Sequence, residues 1–435
     1  MEDLTDNYSE RLNRVIPGGA HTYSRGDDQF PSNAPSILER GKGCYVFDPS
    51  GKRYLDYGMA LRAVTLGYSN REINHAAYDA IEKGNNLTRA SLTELTAAEL
   101  LTELIPNAEM VKFAKNGSTV TSAATKLARA YTGRKYIIRC ADHPFFSYDD
   151  WFIGDTVIKR GIPGEISGLT LNFKYNDLDS LKNLFLSHPR QIACVIMEPV
   201  TSEPPKPGFL EGVKDICHRD GAVFILDEMI TGFRFHIQGC QKMFGIDADL
   251  VTFGKGMANG FSVAALAGRR EIMELGSIKS EGAGRVFLIS TTHGAEMSSL
   301  AAFIKTVEIY KQKDVIDHMW TYGKRLMDGM NNISEGLGIK KYFSVEGFPC
   351  SPIFLTKDLE MQSSLELRTL FLQELIKYHI LMPCLAFCMA HGENEMKTTL
   401  DATYEALKIY KKALSDGYQI YLKGKSIKPV FRSHN

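Results

Sequence analysis

The sequence predicts an α/β fold, in which a large domain on a mostly parallel central sheet is joined by a smaller α+β C-terminal domain. Two observations carry this expectation. Apolar runs at 191–198, 221–228 and 248–255 each end on one ionisable residue, as strands buried on both faces of a parallel sheet do. The length of 435 residues, 44% of them hydrophobic, is too great for one compact core and suits one large domain with a smaller one. The expected division is 1–65 as an N-terminal segment belonging to the small domain, 66–315 as the large domain and 316–435 as the C-terminal small domain.

Taken in order, residues 3–15 read as a short helix stopped by Pro17-Gly18-Gly19. An extended Pro-rich stretch runs to Pro35. Segments 43–48 and 52–56 then flank Pro49-Ser50-Gly51 as a hairpin. Helical periodicity covers 71–83 and 93–105, and 110–114 is a strand. It runs through Lys115-Asn116-Gly117-Ser118-Thr119 into a helix at 122–131. A strand, a small-residue turn and a helix start make an anion site, because unpaired N–H groups and the helix dipole point at the turn. An ordinary N-cap turn has the same pattern.

The strand 135–140 leads into the aromatic-rich 142–152, and the Gly- and Pro-containing 155–168 reads as a loop able to cover a site. Strand 191–198 ends in Glu198. Helix 209–220 then precedes strand 222–228, which carries Asp227, and 263–268 is a strand beyond Lys255. Residues 286–295 enter a helix that runs to about 313. From 316 onward the order is helix, strand at 352–356, and helices at 363–378 and 393–414.

Composition narrows the function. With 51 basic and 51 acidic side chains and no basic block, the chain lacks the electrostatic footprint of a nucleic-acid or anionic-membrane binder. There is no 18-residue apolar run, and the first residues carry no signal-peptide pattern, so the expected location is cytoplasmic. The eight cysteines are scattered, several within apolar runs, and Cys384-x-x-x-Cys388 has no second Cys/His pair at ligand spacing. No metal site is expected. The Gly-x-Gly-x-x-Gly fingerprint of a dinucleotide-binding protein is missing after the first strand.

The chemistry lies in Asp227 and Lys255. Ligands of open α/β sheets bind beyond the carboxyl ends of the strands, so both residues are expected in one crevice. A lysine there is able to form a Schiff base with the aldehyde of pyridoxal 5′-phosphate (PLP), while a carboxylate keeps the pyridinium nitrogen protonated. A solvated loop lysine and a helix-capping aspartate fit the same spacing.

Residues 226–234, Leu-Asp-Glu-Met-Ile-Thr-Gly-Phe-Arg, followed by Asp249-Leu-Val-Thr-Phe-Gly-Lys255-Gly256, resemble the signature of the class III PLP-dependent aminotransferases. Within them the chain looks like the glutamate-1-semialdehyde 2,1-aminomutase group, over about Pro17 to His391. The resemblance implies the PLP-dependent transferase fold type I, with Lys255 and Asp227 as catalytic residues. It implies that Asn116, Gly117 and Ser118 hold the cofactor phosphate, with Thr119 where relatives carry Glu. Phe145, with Phe146 in reserve, matches the aromatic residue that stacks on the cofactor, and His143 is left unassigned. Glu198 matches a Glu-Pro-Val element and is expected to order the crevice. Thr291, with Thr292 next, matches a residue reaching the phosphate of the other subunit, which implies a homodimer. Thr22 and Arg25 match the substrate contacts.

The implied reaction moves an amino group from an amino acid donor, glutamate, to an aldehyde or ketone acceptor, through a Lys255 Schiff base and a pyridoxamine form of the cofactor. Intramolecular aminomutation is the alternative. It is disfavoured because Met382-Pro-Cys-Leu-Ala-Phe-Cys-Met-Ala-His391 lacks the Glu that aminomutases carry before Ala-His. A catalytically silent assembly or regulatory subunit is the non-enzyme alternative, expected to have lost Lys255 or Asp227.

Overall fold

A computed structural model describes residues 7–279, 284–294 and 296–433. The chain packs as two units. One holds the described residues up to Leu61 together with 65–70 and 317–432; the other holds 62–64 and 71–316.

The second unit is built on a seven-stranded sheet. In spatial order its strands are Met110–Ala114, Ala264–Gly268, Leu250–Phe253, Val223–Asp227, Ile192–Met197, Tyr136–Cys140 and Thr170–Phe173. Ala264–Gly268 runs antiparallel to both its neighbours, and the remaining pairings are parallel. Every residue of Ile192–Met197, Val223–Asp227 and Leu250–Phe253 is buried. Their continuous apolar runs follow from helices covering the sheet, among them Gly117–Thr132 and Phe209–Asp220.

Local chemistry sets the helix limits. Ser91 and Glu94 exchange side chain and backbone bonds of 3.1 Å in a capping box that starts Leu92–Leu104. Gly133 and Gly221, both left-handed, close Gly117–Thr132 and Phe209–Asp220. The helix expected at 122–131 begins five residues earlier, because Asn116 accepts from the Thr119 N–H at 3.0 Å and caps the chain there. Residues 155–168 are not wholly irregular, since Gly164–Ser167 is a short helix.

In the first unit, the expected hairpin pairs Tyr45–Phe47 with Arg53–Asp56. Two additions lie outside the expected elements. Arg40–Lys42 extends the sheet on one side, and the two-residue strand Ile380–Leu381 joins it in parallel on the other. The strand Ile353–Thr356 pairs with Phe343–Glu346, and the helices Leu365–Lys377 and Glu393–Asp416 complete the C-terminal part. Of the helix expected at 3–15, the structure shows Tyr8–Val15; residues 1–6 lie outside the described ones.

After Asp56 the backbone takes an unusual course. Met59, Ala60, Leu61 and Arg62 have φ of 41°, 49°, 58° and 72°, a left-handed turn made without glycine. Each such residue costs on the order of 1–2 kcal/mol. Asp56, which is buried, compensates by accepting from the N–H of Gly58 (2.7 Å) and Met59 (3.0 Å) and from the Tyr68 hydroxyl (2.7 Å). The Tyr68 oxygen in turn accepts the Ala60 N–H at 2.8 Å. Replacing Ala60 with Gly, which adopts this φ without a Cβ clash, is expected to stabilise the protein by about 1 kcal/mol. Urea denaturation measures this, and an unchanged or lower midpoint would show that the turn is unstrained.

Candidate active site

Three buried strands of the second unit deliver three ionisable groups. Asp227 is the last residue of Val223–Asp227, Glu198 follows Ile192–Met197 directly, and Lys255 lies two residues beyond Leu250–Phe253. The three strands are adjacent or next but one and run parallel, so their carboxyl ends lie together.

Asp227 is 3% exposed, and its Oδ1 accepts from the Met229 N–H and the Thr252 hydroxyl, each at 3.0 Å. Burial pushes its pKa up to about 6, against the pull of Lys255 and of those two bonds. It is therefore still mostly ionised at neutral pH. Glu198 is raised further, by burial and by the neighbouring Asp227, while Lys255 and Arg62 act to lower it. Two carboxyl groups whose environments push them apart divide the work, one charged and one holding a proton. His143, itself buried and driven by burial to a pKa of about 4, accepts the Glu198 N–H on Nδ1 at 3.2 Å.

Burial lowers the Lys255 pKa. Asp227 and Glu198 oppose that shift, whereas Arg62 and Arg234 reinforce it. The neutral, nucleophilic amine is thereby made accessible. Lys255 itself has a φ of 43°, a left-handed residue at the first position of the turn Lys255–Ala258.

Asn116, Gly117 and Ser118 form the cap and first turn of a 16-residue helix. Asn116 Oδ1 is occupied by Thr119, through its N–H at 3.0 Å and its hydroxyl at 3.1 Å. The N–H groups of the first helical turn have no acceptor within the helix, and the dipole adds positive potential there. Ser118 is buried, and its Oγ accepts the Tyr148 N–H at 3.1 Å.

Met229 ties this turn to the lysine. A Cβ on Gly117 would lie 3.0 Å from Met229 Sδ, and one on Gly254 would lie 2.6 Å from the same atom. A side chain at either turn would therefore force the same thioether to shift, which makes a cradle with the start of the helix Gly117–Thr132 at one end and Lys255 and Asp227 at the other. That donor set suits a phosphorylated pyridine aldehyde: N–H groups for the phosphate, a carboxylate for the ring nitrogen and an amine for the carbonyl.

Of the residues singled out in the sequence, the structure thus brings together Glu198, Asp227 and Lys255, with Gly117 linked to Gly254 through Met229. Phe145 is 46% exposed and edge-on to Phe152, while Phe146 is buried against Trp151 and Phe152. Of that pair, Phe145 has the accessible ring. Thr291 is exposed in the segment before the helix Met297–Gln312. Thr22 and Arg25 belong to the first unit. There Thr22 precedes the turn Tyr23–Arg25, and the Arg25 charge acts on Asp56.

Sequence reasoning missed Met229, Thr252, Tyr148 and Arg62. Thr252 carried a usable signal, because a hydroxyl inside a fully buried strand requires a partner. Tyr148 is exposed beside the Asn116–Ser118 turn, its hydroxyl 3.5 Å from Thr119 Oγ1.

A family model for the class-III aminotransferases matches residues 27–342. The chain is 32% identical over 415 residues to a 3-aminobutyryl-CoA aminotransferase of Cloacimonas acidaminovorans, which spans 93% of this chain and 97% of that protein. Over 337 residues it is 35% identical to a glutamate-1-semialdehyde 2,1-aminomutase of Alkaliphilus oremlandii, covering 74% and 78% of the two chains. A solved structure of the PLP internal aldimine form of the FumI protein of Sphingopyxis sp. MTA144 superposes with a TM-score of 0.86 at 25% identity, over 95% of this chain and 98% of that one. The fold type I architecture and the PLP dependence expected from residues 226–256 are borne out by these matches. The chain belongs to the PLP-dependent class-III aminotransferases, a group in which its relatives carry out both amino transfer and aminomutation.

Proposed function

We propose that the protein transfers an amino group between molecules, from an amino acid donor, glutamate, to an aldehyde or ketone acceptor. The observation that carries this reading is the cluster of Lys255, Asp227 and Glu198 at neighbouring strand ends, joined through Met229 to the helix-start turn Asn116–Ser118. When bound, PLP supplies an electron sink that lets the donor's α-carbon release a proton.

Each protein group has a task in that setting. Lys255 anchors the cofactor's carbonyl carbon. As a free amine beside the bound donor, Lys255 would take up and return the proton of the donor's α-carbon. Asp227, held by Thr252 and the Met229 N–H, would keep the pyridine nitrogen protonated through a charge-assisted bond. Glu198 orders the crevice between Asp227 and Lys255. Asn116, Gly117 and Ser118 would hold the phosphate, the Phe145 ring would stack on the cofactor, and Thr22 and Arg25 would meet the substrate.

Transfer between molecules is favoured over migration within one by the segment 382–391. Leu385, Ala386, Phe387 and Cys388 are all buried there, and no acidic residue occurs in it.

The proposed assembly is a homodimer in which Thr291 reaches the partner's phosphate. It is supported by exposed apolar side chains on the helices Arg71–Glu82 and Leu92–Leu104 and the loop between them, namely Tyr78, Ile81, Leu87, Leu92 and Leu95.

Four outcomes are expected. Adding L-glutamate to the PLP-loaded protein should bleach the long-wavelength absorbance of lysine-linked cofactor and release 2-oxoglutarate. Lys255→Ala should lack that absorbance and lose turnover by about four orders of magnitude or more; steady turnover in this variant would remove Lys255 from the mechanism.

Burial raises the folded pKa of the Asp227 carboxyl from its ordinary 3.8 to about 6. The folded state therefore binds more protons than the unfolded one across that window, and the cofactor-free protein should lose stability as pH rises from about 4 to 6. Asp227→Asn should lessen this slope, which the buried Glu198 and Glu228 share, while weakening PLP affinity, measured by thermal denaturation and fluorescence titration. A slope identical to that of the wild type would mean that Asp227 does not titrate in this window.

Leu92→Asp should shift the sedimentation coefficient from dimer to monomer and weaken PLP retention. A wild type that sediments as a monomer with full activity would exclude the shared site.

A further inference from the structure

The left-handed turn at 59–62 ends on Arg62, and two contacts within the second unit fix where this arginine lies. The Arg62 carbonyl accepts a 3.1 Å bond from Nη2 of Arg234, a guanidinium 1% exposed on the loop that follows the Asp227 strand. Two residues on, the buried Val64 presses against the turn that follows Lys255: a Cβ on Gly260 would meet Val64 Cγ2 at 3.2 Å. The segment 62–64 is thus pinned to the loop after Asp227 on one side and to the Lys255 turn on the other. Strained backbone persists only where its surroundings over-determine it, and such strain concentrates at functional sites. Here that means four successive left-handed residues held by Asp56 and Tyr68.

We propose that Arg62 is the residue that receives the carboxylate on the amino-bearing carbon of the donor and so selects amino acids over simple amines. The proposal rests on the aminotransferase reading of Lys255. The carbon that gives up its amino group must come to the position that Lys255 vacates, so its carboxylate lies within reach of a cation tied to the Lys255 turn. A guanidinium offers two parallel N–H donors that match a carboxylate, which an ammonium does not. The half-buried position of Arg62 strengthens such a bond relative to one in open water. In agreement, the Arg62 charge already acts on Glu198 and Lys255, the two groups flanking that position. Glutamate carries two carboxylates. Arg62 takes the one beside the reacting carbon.

The test compares two carbonyl reagents that differ in one carboxylate, aminooxyacetate and O-methylhydroxylamine. Each condenses with the cofactor carbon and displaces the Lys255 amine, without oxidation or reduction, and is followed by absorbance in the PLP-loaded protein. Arg62→Gln should raise the half-saturating concentration of aminooxyacetate roughly ten- to a hundredfold while moving that of O-methylhydroxylamine by less than about twofold. Arg62→Lys, which keeps the charge but loses the fork, should recover part of the loss and serves if the Gln variant does not fold. Equal shifts for both reagents would overturn the proposal and leave Arg62 a purely electrostatic partner of Lys255. No shift for either would also overturn it. A wild-type protein that responds to neither reagent would instead refute the reading of Lys255 on which the proposal stands.

Discussion

Burial of charge at the carboxyl ends of three parallel strands is the constraint on which this protein depends. An isolated carboxylate or ammonium placed there would cost several kcal/mol, and no single one of these groups is tolerable alone. Together they are tolerable because they differ in sign: Lys255 draws Asp227 and Glu198 down, and they draw it up. Desolvation still prevails for all three, so the aspartate stays charged with a raised pKa, the glutamate holds its proton more tightly, and the lysine releases its own more readily. These are the states that covalent amine chemistry needs, and they follow from the sheet that carries the residues.

Not every buried carboxylate in the unit belongs to that chemistry, and hydrogen-bond satisfaction separates them. Glu228, adjacent to Asp227, accepts from the N–H groups of Cys240 and Gln241 at 2.9 and 2.8 Å and from the Thr231 hydroxyl. Those bonds cap the short helix Cys240–Phe244 and engage both Glu228 oxygens. Asp249 is likewise engaged by the Phe224 N–H, Arg269 and His218. Asp227 accepts two bonds on Oδ1, and no bond is recorded to its other oxygen among the described residues. Its remaining capacity is what a pyridine nitrogen would use.

Close approach matters as much as charge. Gly117 and Gly254 crowd the Met229 sulfur from two directions, so any side chain at either would displace a group that both turns share. The flexible thioether of Met229 fills the irregular gap between them. The left-handed Lys255 and the left-handed run ending at Arg62 place two cations by backbone strain that the adjacent hydrogen bonds and packing counter.

By itself the sequence determined the sheet and its chemistry-bearing ends. Continuous apolar runs such as 192–197 and 223–227 suit a strand buried on both faces, and an ionisable residue closes each run. That pattern placed Asp227, Lys255 and Glu198 at strand ends, and small residues placed Asn116–Ser118 between a strand and a helix, whereas the roles assigned to them came from the resemblance of 226–234 and 249–256 to a known family. The tertiary structure alone decided what depends on distant partners. Met229 resembles any apolar residue until Gly117 and Gly254 fold onto it. Ile380–Leu381 is too short to show a period and becomes a strand only by pairing with Arg53–Asp56. Arg62 sits in a stretch whose left-handed course no propensity forecasts, since it arises from Asp56 and Tyr68 gripping the backbone from outside it. Periodicity and turn chemistry record local preference, whereas strain and close approach exist only once the chain has closed on itself.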